Sequence, residues 1–238
     1  MAGSRIWAVV PVKQFSAAKV RLAPVLSRDE RMELARVMFE DVLDVLAECE
    51  DILADVLVVT SDLEAVALTR HRGAGLVLDK ADRGIDAAIS RAVRHIGAQL
   101  DGLMVVPTDM PHVTRRAFAD VVKMLEIAPS LAIAAAADDG GTNLFACRPM
   151  GAIAPQFVPL SFDRHYRAAL QANVAVQILS LPELSLDLDR PENLRTFLTL
   201  GSITRAHEFL SSIRVLERFE QDDRMARQAI DHAVARAR

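Results

Sequence analysis

Residues 6–22 read IWAVVPVKQFSAAKVRL. The run IWAVV is short and apolar throughout, the pattern of a strand buried on both faces. At Pro11 it breaks into a loop carrying Lys13, Lys19 and Arg21, and beyond Pro24 a long helix begins. A buried strand opening into a cationic loop ahead of a helix suits phosphate. The loop aims ammonium and guanidinium groups at an anion near a helix N-terminus, in the crevice at the carboxyl ends of a parallel sheet. The same cations also suit a solvated loop, because Lys and Arg are ordinary surface residues.

Outward from this stretch, strand and helix patterns alternate. Ser27-Arg-Asp-Glu30 is a capping box and predicts a helix to about residue 49, with Met32, Leu34, Ala35, Met38, Val42 and Leu46 at its apolar positions. A buried strand follows at 56–60 (VLVVT), then a second capping box, Ser61-Asp-Leu-Glu64, opening a helix to about 73. A short strand at 76–78, a helix at 85–100 and a strand at 103–106 (LMVV) come next. The pattern continues as helix 114–127, strands 131–137 and 143–147, helix 161–173 and strand 174–179. Such alternation predicts an α/β fold, a mostly parallel mixed sheet with helices on both faces. No repeat or low-complexity linker interrupts it, so one domain is expected over residues 1–200, followed by a helical C-terminal extension at 201–238. In the extension Phe209, Leu210, Ile213, Leu216 and Phe219 recur at helical spacing, as do Met225, Ala229, Ile230 and Ala233. Such stripes pack on their own domain or form a homodimer contact.

Composition narrows the function classes. At 238 residues and 51% hydrophobic the chain can bury a sizeable core, and its net charge of -4 supplies no basic field for nucleic acid. No apolar run approaches the ~20 residues that span a bilayer, and the N-terminus lacks a secretory pattern. Cys49 and Cys147 have no paired spacing, which argues against a disulfide framework or a zinc site. A cytoplasmic protein is expected. The six histidines (71, 95, 112, 165, 207 and 232) show no ligand spacing and read as surface groups or satisfied partners.

Three further sites can carry chemistry. Pro107-Thr-Asp-Met-Pro111 follows the LMVV strand, so Asp109 lies where α/β folds bind ligands and can hold a magnesium ion; Asp between two prolines also suits a plain turn. In Ser185-Leu-Asp-Leu-Asp189, an extended backbone would put Leu184, Leu186 and Leu188 on one side. Asp187 and Asp189 would then share the other, roughly 6.6 Å apart at the backbone and able to converge on one cation. Asp189 before Pro191 and Glu192 also reads as a helix start, whereas Asp187 in an apolar neighbourhood lacks such an explanation. Finally, Gly141-Thr-Asn143 with Val158-Pro-Leu-Ser161 can offer hydroxyl and backbone N–H groups to an anion, with Ser161 as a simple N-cap the alternative.

Taken in order, these segments resemble the 2-phospholactate guanylyltransferase family, CofC and FbiD, of coenzyme F-420 biosynthesis. The resemblance rests on VPVK with AKVRLAPVLSRDER, VVTSD at 58–62, RGIDAAISRA at 83–92 and VVPTDMPHVT at 105–114. It continues through GTNLFACRP at 141–149, FVPLSFDRH at 157–165 and LDLDRPENL at 186–194, covering about residues 5 to 200. The resemblance implies a Rossmann-like nucleotidyltransferase fold and a reaction of GTP with a small phosphorylated carboxylic acid, releasing pyrophosphate and leaving a guanylylated acid for a downstream transferase. It implies Lys13, Lys19 and Arg21 on the triphosphate, Gly84 and Asp86 at the nucleotide, and Thr142, Val158 and Ser161 at the acceptor. Asp109, Asp187 and Asp189 match its magnesium-binding carboxylates, and with Lys19 they make the catalytic set. Such transfers are accelerated mainly by positioning and charge neutralisation, so no general base is nominated.

Two positions depart from the family pattern. Asp86 stands where members carry Asn, and a carboxylate accepts hydrogen bonds but cannot donate them. Val158 stands where relatives have Gly, which changes how closely a ligand approaches the backbone. The acceptor pocket is therefore expected to be reshaped, with 3-phospho-D-glycerate slightly favoured over 2-phospho-L-lactate and phosphoenolpyruvate. Two rival expectations are a cytidylyltransferase of the same fold and a nucleotide-binding protein without turnover.

Overall fold

Strand β1 (Ile6–Val12) lies mid-sheet because both of its faces are apolar: Ile6, Ala8 and Val10 enter one core and Val9 the opposite one. The computed structural model describes residues 5–97, 101–136, 140–157 and 160–236. After β1 come two 3-10 turns (Phe15–Ala17 and Val20–Leu22), then α1 (Arg28–Ala47), β2 (Asp55–Thr60), α2 (Leu63–His71) and β3 (Gly75–Leu78). Next are α3 (Ile85–Ile96), β4 (Gly102–Val105), α4 (Arg115–Met124), β5 (Ser130–Ala135), β6 (Thr142–Arg148), α5 (Ser161–Gln171) and β7 (Ala175–Leu179). The chain closes with α6 (Pro182–Ser185), α7 (Pro191–Leu200), α8 (Arg205–Ser212) and α9 (Val215–Arg236).

The seven strands lie in the order β3-β2-β1-β4-β6-β5-β7. β6 runs antiparallel to both neighbours and the other pairings are parallel, so the expected mixed, mostly parallel sheet is found. Helices α1, α2 and α4 supply one core, and α3 and α5 the other. From β1 the chain steps outward to β2 and β3, then returns to place β4 on the other side of β1. Loops leaving the carboxyl ends of β1 and β4 diverge there, opening the crevice typical of such switch points.

Local signals explain where α1 and α2 begin. Ser27 and Glu30 make both bonds of the capping box expected for α1. For α2 the expected box is displaced by one residue: Asp62, not Ser61, caps the helix, accepting from the N–H groups of Glu64 and Ala65. Its second oxygen accepts from Phe15 N–H at 3.0 Å, so the cap also anchors the cationic loop. The strand-like alternation at 185–189 is not realised either. Ser185 ends the short α6 and the following residues run irregularly outside the sheet, with Leu184 and Leu188 buried. Of the strand expected at 131–137 and the helix expected at 85–100, residues 137 and 98–100 lie outside the described ones.

A third core forms on the far side of α1. Leu34, Val37 and Met38 meet Leu22 and Leu26 of the cationic loop, together with Phe197 of α7, Leu210 of α8 and Phe219 of α9. The stripe in the C-terminal helices therefore packs on its own chain, although Leu216 and Met225 stay exposed. The side chains of Ala229, Ile230 and Ala233 fall outside the described ones. Cys49 and Cys147 are buried free thiols, and among the described residues no helix is long and apolar enough to cross a membrane.

Candidate active site

The divergence of β1 and β4 leaves a crevice of about 510 Å³, bordered by the cationic loop, Asp109, the segment carrying Asp187 and Asp189, and the starts of β6 and α5. Lys19 enters it from an unusual backbone. Its φ of 54° and ψ of 37° are left-handed, a conformation that side chains rarely adopt and that strain-bearing functional loops retain. The ammonium lies 2.6 Å from Asp189 Oδ1 and 3.1 Å from Asp109 Oδ2, with only 8% of the side chain exposed. Arg21 stands farther out, its Nη1 3.7 Å from Asp189 Oδ2, and Lys13 lines the crevice from an exposed position.

Asp109, Asp187 and Asp189 each present a carboxylate oxygen within 4.8 Å of the others. Tertiary hydrogen bonds hold this geometry. Leu188 N–H donates to the Asp109 carbonyl at 3.0 Å, the Asn193 amide to the Asp187 carbonyl at 2.8 Å, and the Asn143 amide to the Leu184 carbonyl at 3.0 Å. Asp189 does not cap α7; Arg190 occupies that position and the Asp189 carboxylate is spent on Lys19.

The carboxylates differ electrically. Burial, reinforced by Asp109 and Asp189, pushes the Asp187 carboxyl up to about 6, and its buried Oδ1 has no hydrogen-bond partner among the described residues. Asp189 is also penalised by burial, yet attraction to Lys19, Arg21 and Lys13 holds it below its ordinary value. Burial would lower Lys19, but Asp109 and Asp189 raise it overall, so the ammonium stays charged. Converging oxygen donors, one orphaned, fit a hard divalent cation.

The opposite wall is built from neutral polar groups. Thr142 opens β6 and Ser161 opens α5, and the Ser161 hydroxyl donates to Thr142 Oγ1 at 3.0 Å. Ser161 is not an N-cap; Leu160 holds that position and, among the described residues, no side chain caps the helix. His165, one turn further along α5, lies 3.0 Å from Thr142 Oγ1 through Nδ1, and its Nε2 accepts from Gln156 N–H at 2.8 Å. Val158 lies outside the described residues.

Gly84 and Asp86 part company. Gly84, at a φ of 87°, caps α3 and lines a pocket of about 50 Å³ that joins the crevice through Pro11, Val12 and Lys13. The Asp86 carboxylate instead accepts from Phe157 N–H at 2.8 Å, and its residue borders a separate groove behind α3. Lys13, Lys19, Arg21, Asp109, Thr142, Ser161, Asp187 and Asp189 all line one crevice; Asp86 does not.

His165, Gln156 and Asn193 escaped the sequence reading. His165 is a satisfied partner, as expected of the histidines, but what it satisfies is the site wall. Its spacing of four from Ser161 was the one available signal, since i and i+4 share a helix face. Half-buried His112 departs from the expectation for the histidines, its buried Nε2 having no hydrogen-bond partner among the described residues.

The chain is similar to several known proteins. The family described as guanylyl transferase, CofC like, matches residues 6–231, which extends past residue 200 into the C-terminal helices. A 2-phospho-L-lactate guanylyltransferase of Methanothermobacter thermautotrophicus is 31% identical over 208 residues, covering 87% of this chain and 90% of its own. A phosphoenolpyruvate guanylyltransferase of Roseiflexus sp. is 34% identical over 195 residues, covering 79% of this chain and 83% of its own. A solved structure of 4-diphosphocytidyl-2C-methyl-D-erythritol synthase aligns with a TM-score of 0.57 at 14% identity, over 84% of this chain and 100% of that one, and so shares the nucleotidyltransferase fold.

Proposed function

The chain belongs to the family of CofC-like guanylyl transferases, and from that premise we propose that it joins GMP from GTP to a small phosphorylated carboxylic acid in coenzyme F-420 biosynthesis. A phosphate oxygen of the acid attacks the α-phosphorus of GTP, the bond to the bridging oxygen breaks, and pyrophosphate leaves. The observation that carries this reading is the meeting of Lys19 with three carboxylates in the switch-point crevice.

Lys13, Lys19 and Arg21 bind and orient the triphosphate, offsetting charge that grows on the leaving oxygens. Asp109, Asp187 and Asp189 are the residues that would hold magnesium. Bound there, the ion would neutralise phosphate charge and fix the phosphates in line for displacement. Gly84 and the small pocket beside it take the base end of the nucleotide. Thr142 and Ser161 take the acid, which arrives with an ionised phosphate at neutral pH and needs no base from the protein.

The acid belongs to the three-carbon class of 2-phospho-L-lactate, phosphoenolpyruvate and 3-phospho-D-glycerate, and we rank the last first. Support for an altered acceptor wall comes from Asp86, whose carboxylate ties Phe157 N–H beside position 158. Pyrophosphate release with GTP, magnesium and each acid in turn tests the reading, with the downstream transferase and its deazaflavin substrate present to trap the product. Release with one acid and GTP, but not with CTP or ATP, is expected. Silence with all three acids despite GTP binding would overturn it.

A further inference from the structure

His165 is 1% exposed and caged by aromatic rings, with Phe145 at 4.8 Å and Phe157 at 5.3 Å between centroids. A backbone amide can only donate, so the imidazole nitrogen that receives Gln156 N–H carries no proton. A neutral ring then has its single hydrogen on Nδ1, pointing at Thr142 Oγ1. Burial pushes the ring pKa down to about 4, which keeps it neutral in the physiological range.

This tautomer decides what the wall can offer a ligand. His165, Thr142 and Ser161 together own one N–H and two O–H hydrogens, and two bonds lie within the cluster. With Nδ1–H donating to Thr142, the contact between Thr142 and Ser161 uses one hydroxyl hydrogen and leaves the other free. In the opposite tautomer Thr142 would donate to Nδ1 and Ser161 to Thr142, leaving none. Ionised carboxylate and phosphate groups present acceptor oxygens only, so a wall without a free O–H would meet them lone pair to lone pair.

We infer that His165 is a positioning residue for acceptor binding: its tautomer, locked by the Gln156 amide, turns the Thr142–Ser161 pair into a hydrogen-bond donor toward an anionic acid. The inference rests on the reading that the acid lies against Thr142 and Ser161. Two conservative variants separate the nitrogens. In His165→Asn the side-chain amide nitrogen can take the place of Nδ1 and still donate to Thr142. In His165→Gln the polar end reaches the place of Nε2, where it can accept from Gln156 but leaves Thr142 without its donor.

Steady-state kinetics on the full chain with magnesium provide the test, varying each of the three acids at saturating GTP and GTP at saturating acid. His165→Gln is expected to raise the acceptor KM about tenfold with GTP KM within about twofold, the scale of one hydrogen bond to a charged group. His165→Asn is expected to recover most of the loss. Equal losses in the two folded variants would overturn the inference, because a packing role does not distinguish the nitrogens. An unchanged acceptor KM in His165→Gln, with a raised one in Thr142→Val and Ser161→Ala, would overturn it while leaving the acceptor site intact. If Thr142→Val and Ser161→Ala also leave acceptor KM unchanged, the acceptor assignment itself falls. Should His165→Gln fail to fold, a folded His165→Asn with the acceptor affinity lost would still overturn the inference.

Discussion

Lys19 is the counter-charge that lets Asp109 and Asp189 sit together. Lys19→Ala is expected to lower turnover by about a hundredfold or more, since the carboxylate pairing and, on the proposed reading, the triphosphate neutralisation go with it; pyrophosphate release on folded protein checks this. Asp187 makes a sharper prediction. Its carboxyl, raised to about 6 by burial and two neighbouring carboxylates, is held ionised at neutral pH at a cost to the fold. Asp187→Asn should therefore lose turnover while melting at a higher temperature than wild type in chelator, and a lower melting temperature would refute the assignment. His165 gives the pH dependence. Its folded pKa of about 4 lies below the ordinary 6.5, so the unfolded chain takes up the proton first as pH falls. The stability from its neutral ring is complete above about pH 6.5 and is lost as pH drops toward 4, about 2 kcal/mol of it by pH 5. Urea midpoints at pH 7 and 5 should fall more for wild type than for His165→Asn.

At the scale of elements, α8 is held by a residue far from it in sequence. Asp41 of α1 is buried and accepts from the N–H groups of Arg205 and Ala206 at 3.0 and 2.9 Å, while Thr204 caps the same helix. Asp41→Ala should destabilise the protein by about 2 kcal/mol by uncapping those donors, with the kcat of the folded fraction retained; denaturant unfolding and active-site titration check both parts. Ser27 was legible in the sequence because a capping box is a contact over three residues. The alternation at 185–189 misled because Leu184, on the short α6, is buried in the core against the sheet and Leu188 in the third core, while the segment between them is tied to Asn143 and Asn193 and is not itself a strand of the sheet. Asp187 within that segment was legible nonetheless, since its charge among leucines has no local explanation, whereas Asp189 also read as a helix start. His165 was not, because its meaning depends on Thr142, 23 residues away, and on one backbone amide.

For the whole molecule, the third core decides what the C-terminal helices do. Leu22, Leu26, Leu34 and Met38 are all buried against residues from α7 onward, and Arg218 of α9 pairs with Glu30 at 2.5 Å, where α1 begins. Truncation after Gly201 would uncover much of that surface. At about 1.5–3 kcal/mol for each large side chain fully exposed, the loss rivals the entire stability of an ordinary domain. The truncated chain is expected to be insoluble or molten, with dye-binding apolar surface; a soluble, cooperatively melting product would show that the first 200 residues stand alone. The division drawn near residue 200 followed motifs, whereas packing across it depends on contacts that local patterns do not report.

β6 is the strand that runs against its neighbours, and Thr142 consequently emerges at the same end of the sheet as Asp109. On the proposed assignment, that single reversal separates two tasks along the gene. Choice of acid would then be written mainly in one stretch, about residues 140–166, with Asp86 reaching it from α3, while the chemistry common to any acid would be written before and after it. A cassette exchanged with a relative across that stretch should carry acceptor preference with it and leave the choice of GTP behind, so that new specificities can arise in this scaffold without reinventing its catalysis.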